Sequence, residues 1–333
     1  MSSAPPAASP DRPNVLITSA ARKVLLVRAF RAAMAGLGVG RVLAADLSPW
    51  AVALLEAEGV VSLPRTDDAG FGDALDRACA TDGIGLVVPT RDDELPVMAA
   101  LRDRLATAGT VILVSSEDAV AACRDKLRFA EAAAAAGFEC PRTVQPPVRD
   151  FPVFVKPRIG AGGRGAGIVA TPVGLARARD AILADGGEPL TQEVVEGTEF
   201  TVDVFIDRDG RPISCVPRER VVVVAGESVV SRTVRDEELS DATLRLCGAL
   251  ELTGHLTVQA LRTPERIVFL EINPRYGGAS NLGFAAGAPT PEYAIRSARG
   301  ERQEPRLGRY DVALVMLRYA DDRFVHGSPE AIR

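Results

Sequence analysis

Up to about residue 116 the chain alternates between two hydrophobic rhythms. Short apolar runs at Asn14–Thr18, Arg41–Ala45, Gly85–Pro89 and Thr110–Ser115 read as strands. Between them lie segments of helical spacing. Over Lys23–Leu37, the residues Leu26, Val27, Phe30, Met34 and Leu37 fall on one face, and Phe71–Ala80 and Asp92–Leu105 read as further helices. Strands alternating with helices predict a parallel sheet flanked by helices. This α/β unit is expected over residues 13–116, behind a disordered tail at 1–12 that is rich in Ala, Pro and Ser and has no apolar signal core.

The rhythm then changes. Glu117–Gly137 is expected as a helical linker that stops before Pro141. A small unit reaching residue 194 follows: strand Val153–Lys156, a glycine-rich loop at 160–167, strand Gly167–Ala170, helix Gly174–Ala184 and strand Leu190–Val195. From 195 to 333 the pattern is antiparallel. Glu199–Ile206 and Pro212–Pro217 are joined through Asp209-Gly210, a strong hairpin signal. Strands Val221–Val224 and Ser228–Thr233 flank Gly226, and helix Asp236–Leu252 precedes strands His255–Leu261 and Arg266–Ile272. The fold class is therefore α/β followed by α+β.

Composition narrows the function. At 333 residues the chain suits more than one core, and 47% hydrophobic with 25% charged residues is ordinary for a globular protein. No apolar run approaches the roughly 20 residues that span a bilayer. A net charge of −5 without a basic block argues against nucleic-acid or membrane partners. The five cysteines are scattered without metal-type spacing, as expected for reduced thiols in a cytoplasmic protein. With two histidines in the chain, a histidine base is a poor starting point.

Lysine is scarce: only 23, 126 and 156 are lysine among 39 basic residues, the rest being arginine. Lys126 opens an apolar helical stretch, and Lys156 ends a strand just before the glycine-rich loop. A compact ammonium beside a loop able to wrap phosphate suits an anion that a wide guanidinium would not reach. Further on, strand 269–275 (FLEINPR) places Glu271, Asn273 and Arg275 two apart, hence on one face. Gln259 in the preceding strand lies within pairing reach. One carboxylate and amide oxygens suit Mg²⁺ bound together with nucleotide phosphates, and Arg275 suits a transferring phosphoryl group. Between two strands, Thr191–Glu199 forms a hinge able to offer backbone groups to an adenine edge and a carboxylate to ribose hydroxyls.

Taken in order, Lys126, the Lys156-Pro and glycine loop, QEVVEGTEFTVD and LEINPR resemble the ATP-grasp superfamily, and within it the carbamoyl-phosphate-synthetase large-chain-like branch, which sets Gln, Glu and Asn in the metal positions. The likeness covers residues 13–320, and residues 13–116 resemble the domain that precedes the grasp in that branch. It implies an ATP-grasp fold with an N-terminal Rossmann-like pre-ATP-grasp domain, a helical linker and lid at 117–194, and a metal and phosphate site in 195–333. It further implies roles. Lys126 and Lys156 contact ATP phosphates, and the loop closes over them through Gly160, Gly162, Gly163 and Arg164. Glu193, Val194 and Val195 meet adenine, and Glu199 meets ribose. Gln259, Glu271 and Asn273 hold one or two Mg²⁺, with Mn²⁺ as an alternative ion. Arg275, Lys156 and Arg218 form the catalytic set.

The implied reaction joins a small carboxylate to an amine through an acyl phosphate and releases ADP and phosphate. A kinase that stops at the phosphorylated carboxylate, and a nucleotide-binding regulator, remain alternatives. A dinucleotide-binding role is disfavoured, because the turn Thr18–Lys23 lacks spaced glycines. With one grasp unit, carbamoyl phosphate is not the expected product. A homodimer is left open. Arg218 and Arg220 are candidates for a substrate carboxylate, and Asp92, Asp93 and Glu94 for a substrate amine. Asp46 ends a strand, Gly277–Asn281 are candidates to shape the acceptor pocket, and His255 is expected to be a packed strand residue.

Overall fold

The computed structural model describes residues 6–326. Its N-terminal sheet is built from β1 (Asn14–Ile17), β2 (Val42–Ala44), β3 (Gly59–Val60), β4 (Ile84–Val88) and β5 (Val111–Ile112), in the order β3-β2-β1-β4-β5 with every pairing parallel. Helices α1 (Val24–Leu37), α2 (Phe71–Thr81) and α3 (Leu95–Thr107) cover it. Because both faces are covered, β2 and β4 are buried at every position, which is why they read as unbroken apolar runs. One face buries Leu16, Phe71, Leu75 and Met98. The other buries Ile17, Phe30, Met34 and Val88, and it shares that core with Phe205, Tyr276 and Tyr293 from the second half of the chain. Phe30 meets Tyr276 edge to face at 5.7 Å. The two halves thus share an apolar seam, and a site placed there is held from both sides.

The expected linker helix is two helices, α4 (Glu117–Arg124) and α5 (Lys126–Ala135), because Asp125 adopts extended backbone between them and caps α5. A three-stranded unit follows, β6 (Val153–Pro157), β7 (Gly167–Val169), α6 (Pro172–Ala184) and β8 (Pro189–Glu193), with β6 central. The last sheet has six strands in the order β13-β12-β9-β10-β11-β14. They are β9 (Thr198–Ile206), β10 (Pro212–Val224), β11 (Glu227–Thr233), β12 (Gly254–Arg262), β13 (Ile267–Asn273) and β14 (Val315–Leu317), with every pairing antiparallel. Helix α7 (Glu237–Ala249) packs beneath it, and α8 (Asn281–Ala285) and α9 (Thr290–Ala298) return to the seam.

Three expectations are corrected. Residues 212–224 form one strand rather than two, and Pro217 does not interrupt it. Val234 N donates to Pro217 O at 3.0 Å; Pro217 has no N–H to return the bond, and the Val234 carbonyl is taken instead by the Tyr310 hydroxyl at 2.9 Å. Helix α3 begins at Leu95, because the carboxylate of Glu94 is occupied in the preceding turn. The expected disorder of 1–12 does not hold for its described part: Ala8 N bonds Ala298 O at 2.8 Å and Arg12 Nη1 bonds Thr110 Oγ1 at 2.7 Å. Residues 1–5 lie outside the described ones. Among the described residues no helix is long and apolar enough to cross a membrane, and all five cysteines are free.

Candidate active site

The register of the six-stranded sheet builds the site. Gln259 on β12 lies directly opposite Glu271 on β13 and opposite Thr201 on β9, and Thr201 lies opposite Arg218 on β10. One row of polar side chains therefore crosses four strands, while Val202, Val258 and Ile272 of the alternate face enter the core. Asn273 and Arg275 continue the row's face beyond Glu271.

Glu271 is the hub. Its Oε1 accepts from Asn273 Nδ2 at 3.0 Å and, with the Gln259 amide oriented to satisfy both of its ends, from Gln259 nitrogen at 3.0 Å while the Gln259 oxygen accepts from Arg220 Nη1 at 2.7 Å. Its Oε2 lies 3.9 Å from Lys126 Nζ. Two amides and one ammonium thus compensate a single carboxylate. Turning each amide would exchange its N–H for its carbonyl oxygen, giving one carboxylate and two amide oxygens, a donor set that suits Mg²⁺ sharing phosphate ligands. Among the described residues no group of three or more His, Cys, Asp or Glu could hold a metal by itself.

Both site lysines are buried at the head of this row. Lys126 Nζ donates to Gly160 O at 2.8 Å, tying the start of the glycine loop to α5. Burial lowers the Lys156 ammonium to about 8, with Lys126 pushing the same way and Glu271 opposing. Residues 160–166 of the loop are exposed and lean on the β10–β11 turn: a Cβ at Gly226 would meet Gly162 O at 2.8 Å, and Gly162, Gly163 and Gly165 all have positive φ. Arg164, in that loop, is exposed.

Asp125 and Arg158 were not singled out in the sequence, yet they hold Lys126 in place. Asp125 Oδ1 accepts from Leu127 N at 3.0 Å, capping α5, and Arg158 Nε and Nη2 reach the same carboxylate at 2.8 and 2.7 Å. Lys126 N in turn bonds Arg158 O at 3.1 Å. Asp125→Ala is expected to destabilise the protein by about 2 kcal/mol through loss of the cap and the charged pair, and urea titration measures it. An unchanged midpoint would mean that the pair is dispensable. The readable signal was Asp immediately before a helical run.

At the hinge, Glu193 N is already committed to Arg142 O at 3.0 Å, and its side chain accepts from Arg142 N at 3.1 Å. Its carbonyl, Val194 and the Val195 N–H follow at the end of β8. Glu199 faces Arg220 Nε at 3.2 Å, and burial raises its carboxyl despite that arginine.

The remaining candidates are redistributed. Arg275 grips Asp92 with two bonds, Nε to Oδ1 at 2.9 Å and Nη2 to Oδ2 at 2.5 Å, and its Nη2 also reaches Asn273 Oδ1 at 3.4 Å. Asp92 is therefore the partner of Arg275 rather than a reader of amines. Asp93 pairs with Arg91 at the surface. Glu94 is buried and accepts from Thr90 N at 2.6 Å and Arg91 N at 2.9 Å. Asp46 accepts from Ala21 N at 2.7 Å.

Arg218 is not an open fork for a carboxylate. It is 2% exposed and its Nε is spent on Asp203 Oδ2 at 2.7 Å, leaving buried Nη1 without a protein partner among the described residues. Burial alone would raise the Asp203 carboxyl, but Arg218 and His255 outweigh it and hold it well below the usual range. Asp203 also accepts from Ser280 Oγ at 2.8 Å, and Ser280 Oγ accepts from Gly277 N at 2.9 Å, so the 277–281 segment is fastened to this buried pair. Asp203 was legible: it follows Glu199 and Thr201 at the two-residue period of the same face. His255 is packed, stacked on Tyr276 at 4.0 Å and bonded to Thr290 and Ser280. Burial lowers its pKa, with Asp203 opposing.

Comparison with known proteins bears on the family and the fold. An ATP-grasp domain model matches residues 123–279, and a PylC-like N-terminal domain model matches 15–113. The carbamoyl phosphate synthase arginine-specific large chain of Bacillus subtilis is 30% identical over 168 residues, 45% of this chain and 16% of that one. The carbamoyl phosphate synthase large chain of Thermotoga neapolitana is 26% identical over 230 residues, 62% of this chain and 21% of that one. The chain thus spans about a fifth or less of these relatives. Among solved structures, biotin carboxylase of Campylobacter jejuni superposes with a TM-score of 0.72 at 16% identity, covering 91% of this chain and 74% of that one. An L-amino acid ligase of Bacillus licheniformis gives 0.69 at 15% identity, covering 87% and 75%.

Proposed function

We propose, for a chain that belongs to the ATP-grasp superfamily, that it is an ATP-dependent ligase joining a small carboxylate to an amine through an acyl phosphate. The observation that carries this reading is Glu271, set by register opposite Gln259, flanked by Asn273 and Arg275, and facing Lys126 beside the glycine loop. Such an arrangement suits a polyphosphate and its counter-ion. Support also comes from the relatives, whose names include a carbamoyl phosphate synthase and an L-amino acid ligase.

In this mechanism Lys126 and Lys156 hold the phosphates, the hinge 193–195 takes adenine and Glu199 takes ribose. Gln259, Glu271 and Asn273 would hold one or two Mg²⁺, which neutralise polyphosphate charge when bound. A substrate carboxylate oxygen attacks the γ-phosphorus, the bond to the β-phosphate oxygen breaks, and ADP leaves. Arg275, fixed in orientation by Asp92, stabilises the transferring group. An amine nitrogen then attacks the acyl carbon, phosphate departs and the nitrogen loses a proton. The free cysteines suit a cytoplasmic setting.

The test is release of ADP and phosphate from Mg-ATP, with pooled carboxylates crossed against pooled amines. The ligase requires both pools. Release with carboxylate alone, leaving a stable phosphorylated product, would replace it with the kinase, and nucleotide binding without release under any pool would leave a regulator.

A further inference from the structure

The tip of the β10–β11 hairpin touches both sides of the site. Val224 pairs with Glu227, so the turn is the two residues Ala225 and Gly226, with φ of +49° and +78°, the twist that keeps so tight a turn in line with its strands. On one side the turn meets the glycine loop, backbone to backbone. A Cβ at Gly226 would meet Gly162 O at 2.8 Å, and one at Gly163 would meet Gly226 Cα at 3.6 Å. Among the described residues no backbone hydrogen bond joins the two, so the contact is close but releasable. Gly226 O also accepts from Arg220 Nη2 at 2.9 Å, and Arg220 Nη1 reaches the Gln259 oxygen at 2.7 Å. The turn therefore rests on the loop and is anchored to the row of Gln259 and Glu271.

On the other side the turn reaches residues 277–281 through one side chain. Arg318, just past β14, is pinned to β11 by its own N–H, which donates to Val229 O at 2.8 Å. Its guanidinium then divides: Nη1 donates to Glu227 Oε2 at 2.7 Å, and Nη2 donates to Gly278 O. A planar fork with fixed arms holds two such groups in one geometry, which a flexible ammonium does not. Segment 277–281 is held differently at its two ends. Ser280 is bonded to buried Asp203, whereas the Gly278 carbonyl has no partner but Arg318 among the described residues. The Glu227 side chain is 62% exposed and that of Arg318 27%, and an ion pair so open to water adds little to folding stability. What the fork fixes is position, and the segment it fixes begins two residues beyond Arg275.

We propose that Arg318 is a positioning residue that couples the nucleotide side of the site to the acceptor side: it ties segment 277–281 to the β10–β11 turn, so that closure of the glycine loop on nucleotide orders the segment as well. The path is continuous and consists of Gly162 and Gly163, Gly226, Glu227, Arg318 and Gly278. Nucleotide binding thereby prepares the acceptor wall before the amine arrives, and an acyl phosphate forms beside an ordered pocket. This inference rests on the ligase reading for the naming of 277–281 as the acceptor wall, but the coupling it asserts can be measured without turnover.

The experiment is hydrogen–deuterium exchange of the full chain, with and without Mg²⁺ and a non-hydrolysable ATP analogue, in wild type, Arg318→Met and Glu227→Ala. In wild type the analogue is expected to slow exchange about fivefold or more in residues 160–167, 225–229 and 277–281 together. In both variants 160–167 should keep its slowing and 277–281 should lose it. Glu227→Ala is the decisive variant: it leaves the bond from Arg318 to Gly278 and cuts only the link to the turn, so a purely local role of Arg318 would leave 277–281 responsive. Slowing at 277–281 that survives in either variant overturns the proposal, as does wild-type slowing confined to 160–167 or absent from every segment. Fast exchange throughout both variants, even without the analogue, would equally overturn it by making the pair a structural one. Coupling that depends on both residues, in a protein releasing no ADP with any pool, would sink the ligase reading and leave the coupling standing.

Discussion

Glu271→Gln is expected to reduce ADP release by about 10²–10³-fold or more while leaving the protein folded. The substitution keeps shape and removes one charge, so it isolates what the carboxylate does. In the free protein that carboxylate is the common partner of Asn273, Gln259 and Lys126. A glutamine still offers one oxygen to the neighbouring amides, so the β12–β13 pairing should persist. Two consequences remain. The only carboxylate of the predicted ion-binding set is gone, and Lys156 loses the group that supports its charge. Steady-state ADP release, read beside a thermal melt, checks this. Turnover within tenfold of wild type would mean that the row 259–271–273 is not the ion and phosphate site.

Lys156→Met should lower ADP release by roughly 10²-fold and, at the same time, raise stability. Burial lowers the ammonium to about 8, against an ordinary lysine near 10.4 in the unfolded chain. The sign follows directly. Below pH 8 both states carry the proton and the desolvation cost is present in full. Between about 8 and 10.4 the unfolded chain binds more protons than the folded one, so stability rises with pH. Methionine keeps the apolar stem and removes the cost, worth about 3 kcal/mol near neutrality. Thermal unfolding from pH 7 to 10 should show the variant melting higher at pH 7, with the gap closing towards pH 10. A lower melting temperature at pH 7 would show that the charge is better compensated than its surroundings suggest. Lys23 is lowered to about 8 as well, by burial and then by Arg275, so the variant keeps part of the pH dependence. A residue that costs stability in the empty protein and gains its partner with substrate is the expected trade at a phosphate site.

Much of this site was legible because its parts have short-range signatures. Strand 269–275 has a two-residue period, and that period alone puts Glu271, Asn273 and Arg275 on one face. Lys156 followed by a glycine-rich loop needs only local geometry to suggest phosphate. The alternation of buried strands with amphipathic helices likewise predicts the parallel sheet before any contact is known. Where the reading went astray, a long-range partner decided. Asp92 reads as a free acid at a strand end until Arg275, 183 residues away, takes both its oxygens. Arg218 reads as an open fork for a substrate carboxylate until Asp203 takes its Nε in the interior. Pro217 reads as a strand end until the Tyr310 hydroxyl supplies the donor that proline lacks.

The sequence by itself therefore determined which chemical groups are available and which share a local face. Helix and strand periods are properties of a few consecutive residues, and the rarity of lysine is a property of composition. Tertiary structure decided who faces whom. The register that sets Gln259 opposite Glu271 depends on the pairing of whole strands, and a shift of one residue would turn that row into the core. The seam that brings Asp92 to Arg275 depends on the packing of Phe30 against Tyr276 across nearly the whole chain. Neither is contained in any local pattern, because each is selected by the burial of apolar surface over the entire fold.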